Sequence, residues 1–359
     1  MYARVMERIT DVAIAGVLWG FRIAVVLLVV VGSALTLGGG RHSAESWLSL
    51  IVSGAVLGSI YALIALGYTM VYGILRLINF AHGEIFMAGT FGGYFVATAL
   101  SGIGFLNLNP ITSIISVVLM MAGAIVVSVT LALLVERIAY RPLRNAPRLV
   151  PLISAIGASF FLQYTFRGFF GPGIYAYPTV GILDAQVPLG IEGFRVKWID
   201  VLVIVSAVVM MAGLFLFVQR TKLGTSIRAV SEDKATAALM GIDVNRAIVM
   251  TFAIGAAMAG AAGVLYGLIF RQVYFFTGFV PGIKAFTAAV LGGIGNIPGA
   301  MLGGIFLGQV EGVGPTLFLS GLGVPSPNQL RDVIAFTMLV LVLIFRPSGI
   351  LGERVAQRA

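Results

Sequence analysis

The chain has 359 residues, of which 59% are hydrophobic and 10% charged. Soluble domains carry about 25% charged residues, so this composition excludes a soluble globular class and indicates a polytopic membrane protein. The formal net charge of +9 sits in loop arginines and lysines that set topology, with no basic stripe interleaved with aromatics, which argues against nucleic-acid binding. The absence of cysteine excludes disulfides and thiolate metal sites.

Residues 1–46 read as an N-terminal extension. Arg4, Glu7, Arg8 and Asp11 lie beside apolar positions, which suits a segment in the membrane interface. The run 23–40 is long enough for an extra membrane helix. A cleaved signal peptide is the rival reading, disfavoured because SALTLGGG has no small-x-small cleavage site.

A helical span needs about 20 apolar residues. Further charge-free runs cover 46–75, 85–135, 201–219, 247–270 and 285–310. SGIGFLNLNP, at 101–110, divides the longest into two. Residues 149–166 and 328–345 add two more crossings. The expected fold is all-α, a polytopic transmembrane bundle with nine or ten crossings and broken helices.

The most informative stretch is 58–89, GSIYALIALGYTMVYGILRLINFAHGEIFMAG. It opens as a membrane helix, breaks around Asn79, His82 and Glu84, and resumes. Broken backbone at membrane depth is tolerated only where protein or a water-filled cavity satisfies it. A second break lies in 281–308, where Gly292, Gly293, Gly295, Asn296, Pro298 and Gly299 interrupt another apolar run. Paired breaks in two halves point to an inverted repeat with a transport path between them; chance likeness of glycine-rich helices is the alternative. The path or gate candidates are Tyr68, Asn79, His82, Glu84, Gly293 and Asn296. His82 and Glu84 also read as caps at an interfacial helix start, where the helix dipole favours an acid. Asn79 and Asn296 are expected to satisfy broken backbone. Tyr61, Tyr68 and Tyr72 recur at helical spacing and serve packing or the path. Lys284 is expected to snorkel at the outer interface, and Arg167 and Arg271 to mark the outer boundary.

The loops assign sides. Arg137, Arg141, Arg144 and Arg148 crowd one loop; Arg220, Lys222, Arg228, Lys234 and Arg246 crowd another; Arg346, Arg354 and Arg358 follow the last span. The positive-inside rule makes all three cytoplasmic, including the tail 354–359. The loops at 101–110 and 171–200 face outward. In the loop 220–246, Ser231 reads as an N-cap, Glu232 and Asp233 suit a first helical turn, and Gly241 supplies a stop. The resulting short helix would expose small and apolar residues, a surface that can dock into a groove; an ordinary solvated loop is the plain reading.

Three segments resemble one family. GYTMVYGILRLINFAHGEIFMAG, IRAVSEDKATAALMGID and RDVIAFTMLVLVLIFRPSGILGE are similar to the Liv-type permeases of branched-chain amino acid ABC importers, and the likeness runs over 47–353. It implies a permease transmembrane domain in a prokaryotic inner membrane. It also implies four kinds of partner: a second related permease, two cytoplasmic ATPases that bind the ATP, an extracytoplasmic amino-acid-binding protein, and membrane lipid. By this resemblance 232–241 is the coupling helix, with Glu232, Asp233, Lys234, Ala237, Ala238, Met240 and Gly241 as its contacts. The family's Glu-Ala-Ala-x-x-x-Gly pattern is altered here, where Ala235, Thr236, Ala237 and Gly241 occupy its places and the glutamate is missing.

Enzymatic constellations are lacking. His42 and His82 are the only histidines, and there is no Walker A sequence, so the chain is expected to be neither a zinc enzyme nor an ATPase and to need no cofactor or metal. A permease for urea, short amides or sugars, or a stand-alone carrier or channel with Glu84 and Glu311 as proton carriers, remains as the alternative function.

Overall fold

The computed structural model describes residues 2–352, apart from 41, 145, 148, 189–193, 195 and 347, with backbone only for 2–13. Arg148 and the tail 354–359 lie outside the described residues, as do the side chains of Arg4, Glu7, Arg8 and Asp11.

Among the described residues the regular structure is helical, save one two-stranded ribbon. In chain order its helices are α1 (Tyr2–Gly38), α2 (Ala44–Leu75), α3 (His82–Gly102), α4 (Pro110–Val135), α5 (Leu149–Phe170), α6 (Trp198–Arg220), α7 (Lys222–Glu232), α8 (Lys234–Leu239), α9 (Val244–Phe270), α10 (Phe279–Gly292), α11 (Ile297–Leu319) and α12 (Arg331–Phe345). Among the described residues nine helices are long and apolar enough to cross a membrane. The fourteen residues of α10 rise only about 21 Å, short of the roughly 30 Å hydrocarbon core. The apolar run 285–310 is therefore two helices. The N-terminal segment and the first span form one unbroken helix, α1, of 37 residues.

Helix starts follow their capping residues. Asn109 caps α4 by accepting from the Thr112 amide (2.9 Å), with Pro110 in the first turn. Asp243 caps α9 and Asn296 caps α11 in the same way. Each cap supplies an acceptor for an N–H that the helix leaves unpaired.

The most buried spans are α2 and α9. α2 packs on α11 through glycine. A Cβ on Gly308 would lie 2.1 Å from the Gly58 nitrogen, and one on Gly304 would lie 2.4 Å from the Ala62 Cα. In lipid, helix association depends on such close backbone approach. α9 meets α3 and α4 similarly: Gly260 faces Gly89 and Ala124, and the Ser128 hydroxyl donates to the Ile85 carbonyl (2.9 Å). α1 and α12 are peripheral. α1 rests on α11 where Gly32 meets Phe318, and its Arg22 guanidinium lies 3.6 Å from the Phe345 ring centroid on α12.

The connections gather at two ends. At one, Asn107 accepts from the Gly181 amide (2.7 Å), β1 (Tyr175–Ala176) pairs antiparallel with β2 (Gln272–Val273), and Arg271 forms an ion pair with Asp184. At the other, Arg76 reaches Ser231, Arg144 reaches Asn245, and Asn296 reaches Leu351. The arginine-rich loops and both helix breaks share that second end.

Candidate functional site

The first break spans 76–81. Arg76 closes α2 in the left-handed region, φ +56°, with its amide on the Tyr72 carbonyl (2.7 Å). Asn79 follows, buried, and its Oδ1 accepts from the Tyr140 hydroxyl (3.1 Å). The expectation that its side chain satisfies broken backbone is corrected: a tyrosine hydroxyl takes that place.

His82 and Glu84 begin α3 without a side-chain cap bond, and Glu84 stands in the first turn, where the helix dipole favours an acid. Ala81 is the N-cap, no side chain bonds there, and both residues are 1% exposed. The His82 ring stands edge-on to Tyr68 at 4.8 Å and fits only because residue 67 is glycine, whose Cβ would fall 2.1 Å from Nε2. Glu84 Oε1 accepts from Gln163 Nε2 (2.6 Å) and Ser159 (3.3 Å) on α5. Tyr68, Asn79, His82 and Glu84 thus come together. Around them Thr69 Oγ1, Asn79 Nδ2, His82 Nε2 and Glu84 Oε2 are buried without a hydrogen-bond partner among the described residues. Buried polar groups are usually paired, so this is a concentration of unused polar capacity. Gln163 and Ser159 were missed from sequence; their one signal was a polar pair four apart in an apolar run.

Gly293 and Asn296 do not join that group. They form the second break, 293–296, where Gly293 and Gly295 take φ of +107° and +95°. Asn296 accepts from the Gly299 amide (3.0 Å) and donates to the Leu351 carbonyl (2.9 Å). This asparagine does satisfy broken backbone. The Ile350 and Leu351 amides complete the junction by donating to Leu291 and Gly292 at the end of α10 (2.8 and 3.0 Å). The breaks approach each other at Tyr72, whose ring lies 4.0 Å from where a Gly295 Cβ would be.

The polar loop folds as a helical elbow. Thr221 caps α7, which buries Gly224, Ile227 and Val230. Ser231 is not an N-cap, because α7 continues through it and its hydroxyl donates to the Arg228 carbonyl (2.7 Å). Glu232 ends α7, and Asp233 turns the chain and caps α8, accepting from Ala235 and Thr236 (2.8 and 3.0 Å). Ala237 is buried, while Ala238, Leu239 and Met240 are exposed, the last two at 87% and 78%. Gly241 ends the turn at φ +81°. Burial, with Arg144 and Arg76 nearby, holds the Lys234 ammonium below the ordinary lysine range. Arg76 donates to the Ser231 carbonyl (3.3 Å), so the elbow is tied to the first break. Sequence reasoning passed over Arg76, although a lone arginine where an apolar helix ends was visible.

Arg167 and Arg271 lie toward the end of the bundle opposite the arginine-rich loops. Arg271 pairs with Asp184, and Arg167 lies over Phe275 (5.4 Å) near the end of α5. Lys284 does not snorkel. It is 6% exposed and forms ion pairs with Glu311 (3.0 Å) and Asp332 (2.7 Å), because carboxylates on α11 and α12 converge on it.

The family described as branched-chain amino acid transport system / permease component matches residues 50–343. The chain is 45% identical over 310 residues to the high-affinity branched-chain amino acid transport system permease protein BraD of Pseudomonas aeruginosa, covering 86% of this chain and 96% of that one. It is 42% identical over 322 residues to LivH of Escherichia coli K12, with the same coverages. A probable LivH of Methanocaldococcus jannaschii is 27% identical over 309 residues, covering 84% and 92%.

Proposed function

Because the chain belongs to the branched-chain amino acid transport permease family, we propose that it is the membrane subunit of an ATP-driven importer for branched-chain or other hydrophobic amino acids. In this reading the arginine-rich end of the bundle is cytoplasmic, in accord with the positive-inside rule, and the C-terminus lies there. Two ATPase subunits dock on that face. A second, related permease completes the path, and an extracytoplasmic binding protein delivers the substrate to the far side. The chain itself carries out no chemistry.

The observation that carries the proposal is the elbow. A six-residue helix with Leu239 and Met240 exposed is a small apolar knob on a polar face, suited to a groove on a partner. Its base is tied through Arg76 to the first break. Movement of the knob as the ATPases close would pull on the Ser231 carbonyl, and so on the left-handed Arg76 and the start of α3. His82, Glu84 and Asn79 would move with it. Their unpaired polar atoms give the break alternative partners to adopt, which alternating access requires of a gate. The altered coupling pattern is accommodated because Asp233, as the cap, supplies the acid of the elbow.

The test is uptake of radiolabelled leucine into proteoliposomes holding the chain and its co-purified subunits, with binding protein outside and ATP inside. Leu239→Ser combined with Met240→Ser should release the ATPase subunits and stop uptake without changing thermal unfolding. Uptake by the unaltered chain that needs a proton gradient but no ATP would make it a stand-alone carrier instead.

A further inference from the structure

The Lys284 cluster belongs to neither break nor elbow. Its members come from four helices: Tyr61 on α2, Lys284 on α10, Glu311 on α11 and Asp332 on α12. Lys284 Nζ donates to Glu311 Oε2 (3.0 Å), Asp332 Oδ1 (2.7 Å) and the Tyr61 hydroxyl (3.4 Å), and that hydroxyl donates to Glu311 Oε2 (3.0 Å). One ammonium thus faces two carboxylates. Glu311 is 1% exposed, and its Oε1 has no hydrogen-bond partner among the described residues. The Asp332 side chain, in contrast, is 58% exposed.

The cluster lies among the spanning helices, away from the end that carries the breaks, and Asp332 stands in the first turn of α12. By helix rise, Lys284 is about 12 Å from the α10 end at Gly292, and Tyr61 and Glu311 are each about 21 Å from the ends of α2 and α11 at the breaks. The hydrocarbon core is about 30 Å thick. Ionised groups buried among spanning helices are costly and mark ligand paths by default. Broken helices contribute such sites, and Lys284 and Glu311 stand on the two helices that flank the second break.

We propose that Lys284, Glu311 and Asp332 hold the charged ends of a zwitterionic substrate, a free α-amino acid; the inference rests on the importer reading. Lys284 takes the α-carboxylate, which replaces the exposed Asp332 as its partner. Glu311 Oε1, with the released Asp332, takes the α-ammonium. A zwitterion brings one charge of each sign and leaves the buried charge unchanged. Urea and sugars offer no charge to either group. Acids and amines with a single charge would leave one unbalanced charge at membrane depth. The cluster therefore selects an amino acid over the amides and sugars of the alternative reading. Tyr61 fixes the orientation of Glu311 and is a positioning residue.

The test is equilibrium binding of radiolabelled L-leucine to the whole assembly in nanodiscs, without binding protein. Saturable binding should be displaced by L-valine but not by 4-methylpentanoate or 3-methylbutylamine, which keep the branched chain and lose one charged end. Glu311→Gln and Lys284→Met should each weaken binding at least about tenfold, the effect expected of losing one charge-assisted hydrogen bond. Equal displacement by the singly charged analogues, or leucine binding unchanged in Glu311→Gln, would overturn the proposal. So would an assembly that takes up leucine but shows no saturable binding. If either variant fails to assemble, Asp332→Asn, altered on the exposed side, replaces it, and unchanged affinity there counts against the proposal. Absence of ATP-dependent uptake by the unaltered assembly defeats the importer reading itself; normal uptake beside unaffected variants defeats only the zwitterion site.

Discussion

Gly308→Ala probes the glycine seam between α2 and α11. The added methyl would lie 2.1 Å from the Gly58 nitrogen and 2.2 Å from its Cα, both backbone atoms with no rotamer to escape into. A comfortable carbon contact is about 3.5–4.0 Å, so α2 and α11 must separate by roughly 1.5 Å. A gap of about 0.5–1 Å already forfeits a quarter to a half of each contact's dispersion energy, at ~0.1–0.2 kcal/mol per atom pair. Over a seam of tens of pairs the loss reaches about 3 kcal/mol, the upper end of what overpacking costs. The effect should be graded. Gly58→Ala meets its nearest atom at 2.8 Å and Gly54→Ala at 3.0 Å, while a methyl on Gly213 in α6 meets nothing within 4 Å. Thermal unfolding in detergent, followed by tryptophan fluorescence, should rank the variants Gly308, Gly58, Gly54, Gly213 from least to most stable. A Gly308→Ala protein as stable as Gly213→Ala would refute this account of the seam.

Arg76→Gly keeps the left-handed backbone and removes the guanidinium that reaches Ser231. Glycine adopts that conformation without steric penalty, so thermal stability should hold or rise; on the proposed importer function, leucine carried per ATP hydrolysed should fall sharply, and intact coupling would remove Arg76 from the path. The lowered Lys234 titration means that the folded state disfavours the charged form. The folding penalty is present below the folded value and is relieved as pH rises through it toward the ordinary lysine value of about 10.4. Lys234→Met should therefore unfold at a higher temperature than the parent at neutral pH, and the gap should narrow as the pH is raised across that window; a gap independent of pH would contradict it.

Much of the architecture was legible because its causes are local. Asn109 with Pro110, Asp243 with Val244, and Asn296 before Pro298 carry their capping geometry in neighbouring residues, and the apolar runs carry their own length. The two breaks were visible because glycine, asparagine and histidine interrupt otherwise apolar sequence. What was hidden depends on distant partners. Lys284 read as a boundary residue because a single lysine in an apolar helix has no local mate; Glu311 and Asp332 come from two later helices. Ser231 and Asp233 are both good caps, and the choice between them was decided by how far the buried face of α7 extends, through Val230. Asn79 found a hydroxyl from Tyr140, sixty-one residues away, and nothing nearby announced it.

The peptide that closes the second break has a consequence for biosynthesis. The amides of Ile350 and Leu351 cover the last carbonyls of α10, so the helix end is completed by a segment made some sixty residues later. At about 5–20 residues per second, α10 waits several seconds during synthesis with those carbonyls uncovered, while α11 and α12 enter the membrane. A chain halted before residue 346 would have all its spanning segments yet no peptide to join the facing ends of α10 and α11. The peptide at 350–351 thus acts as a clasp, one that can close only after α11 and α12 have been made.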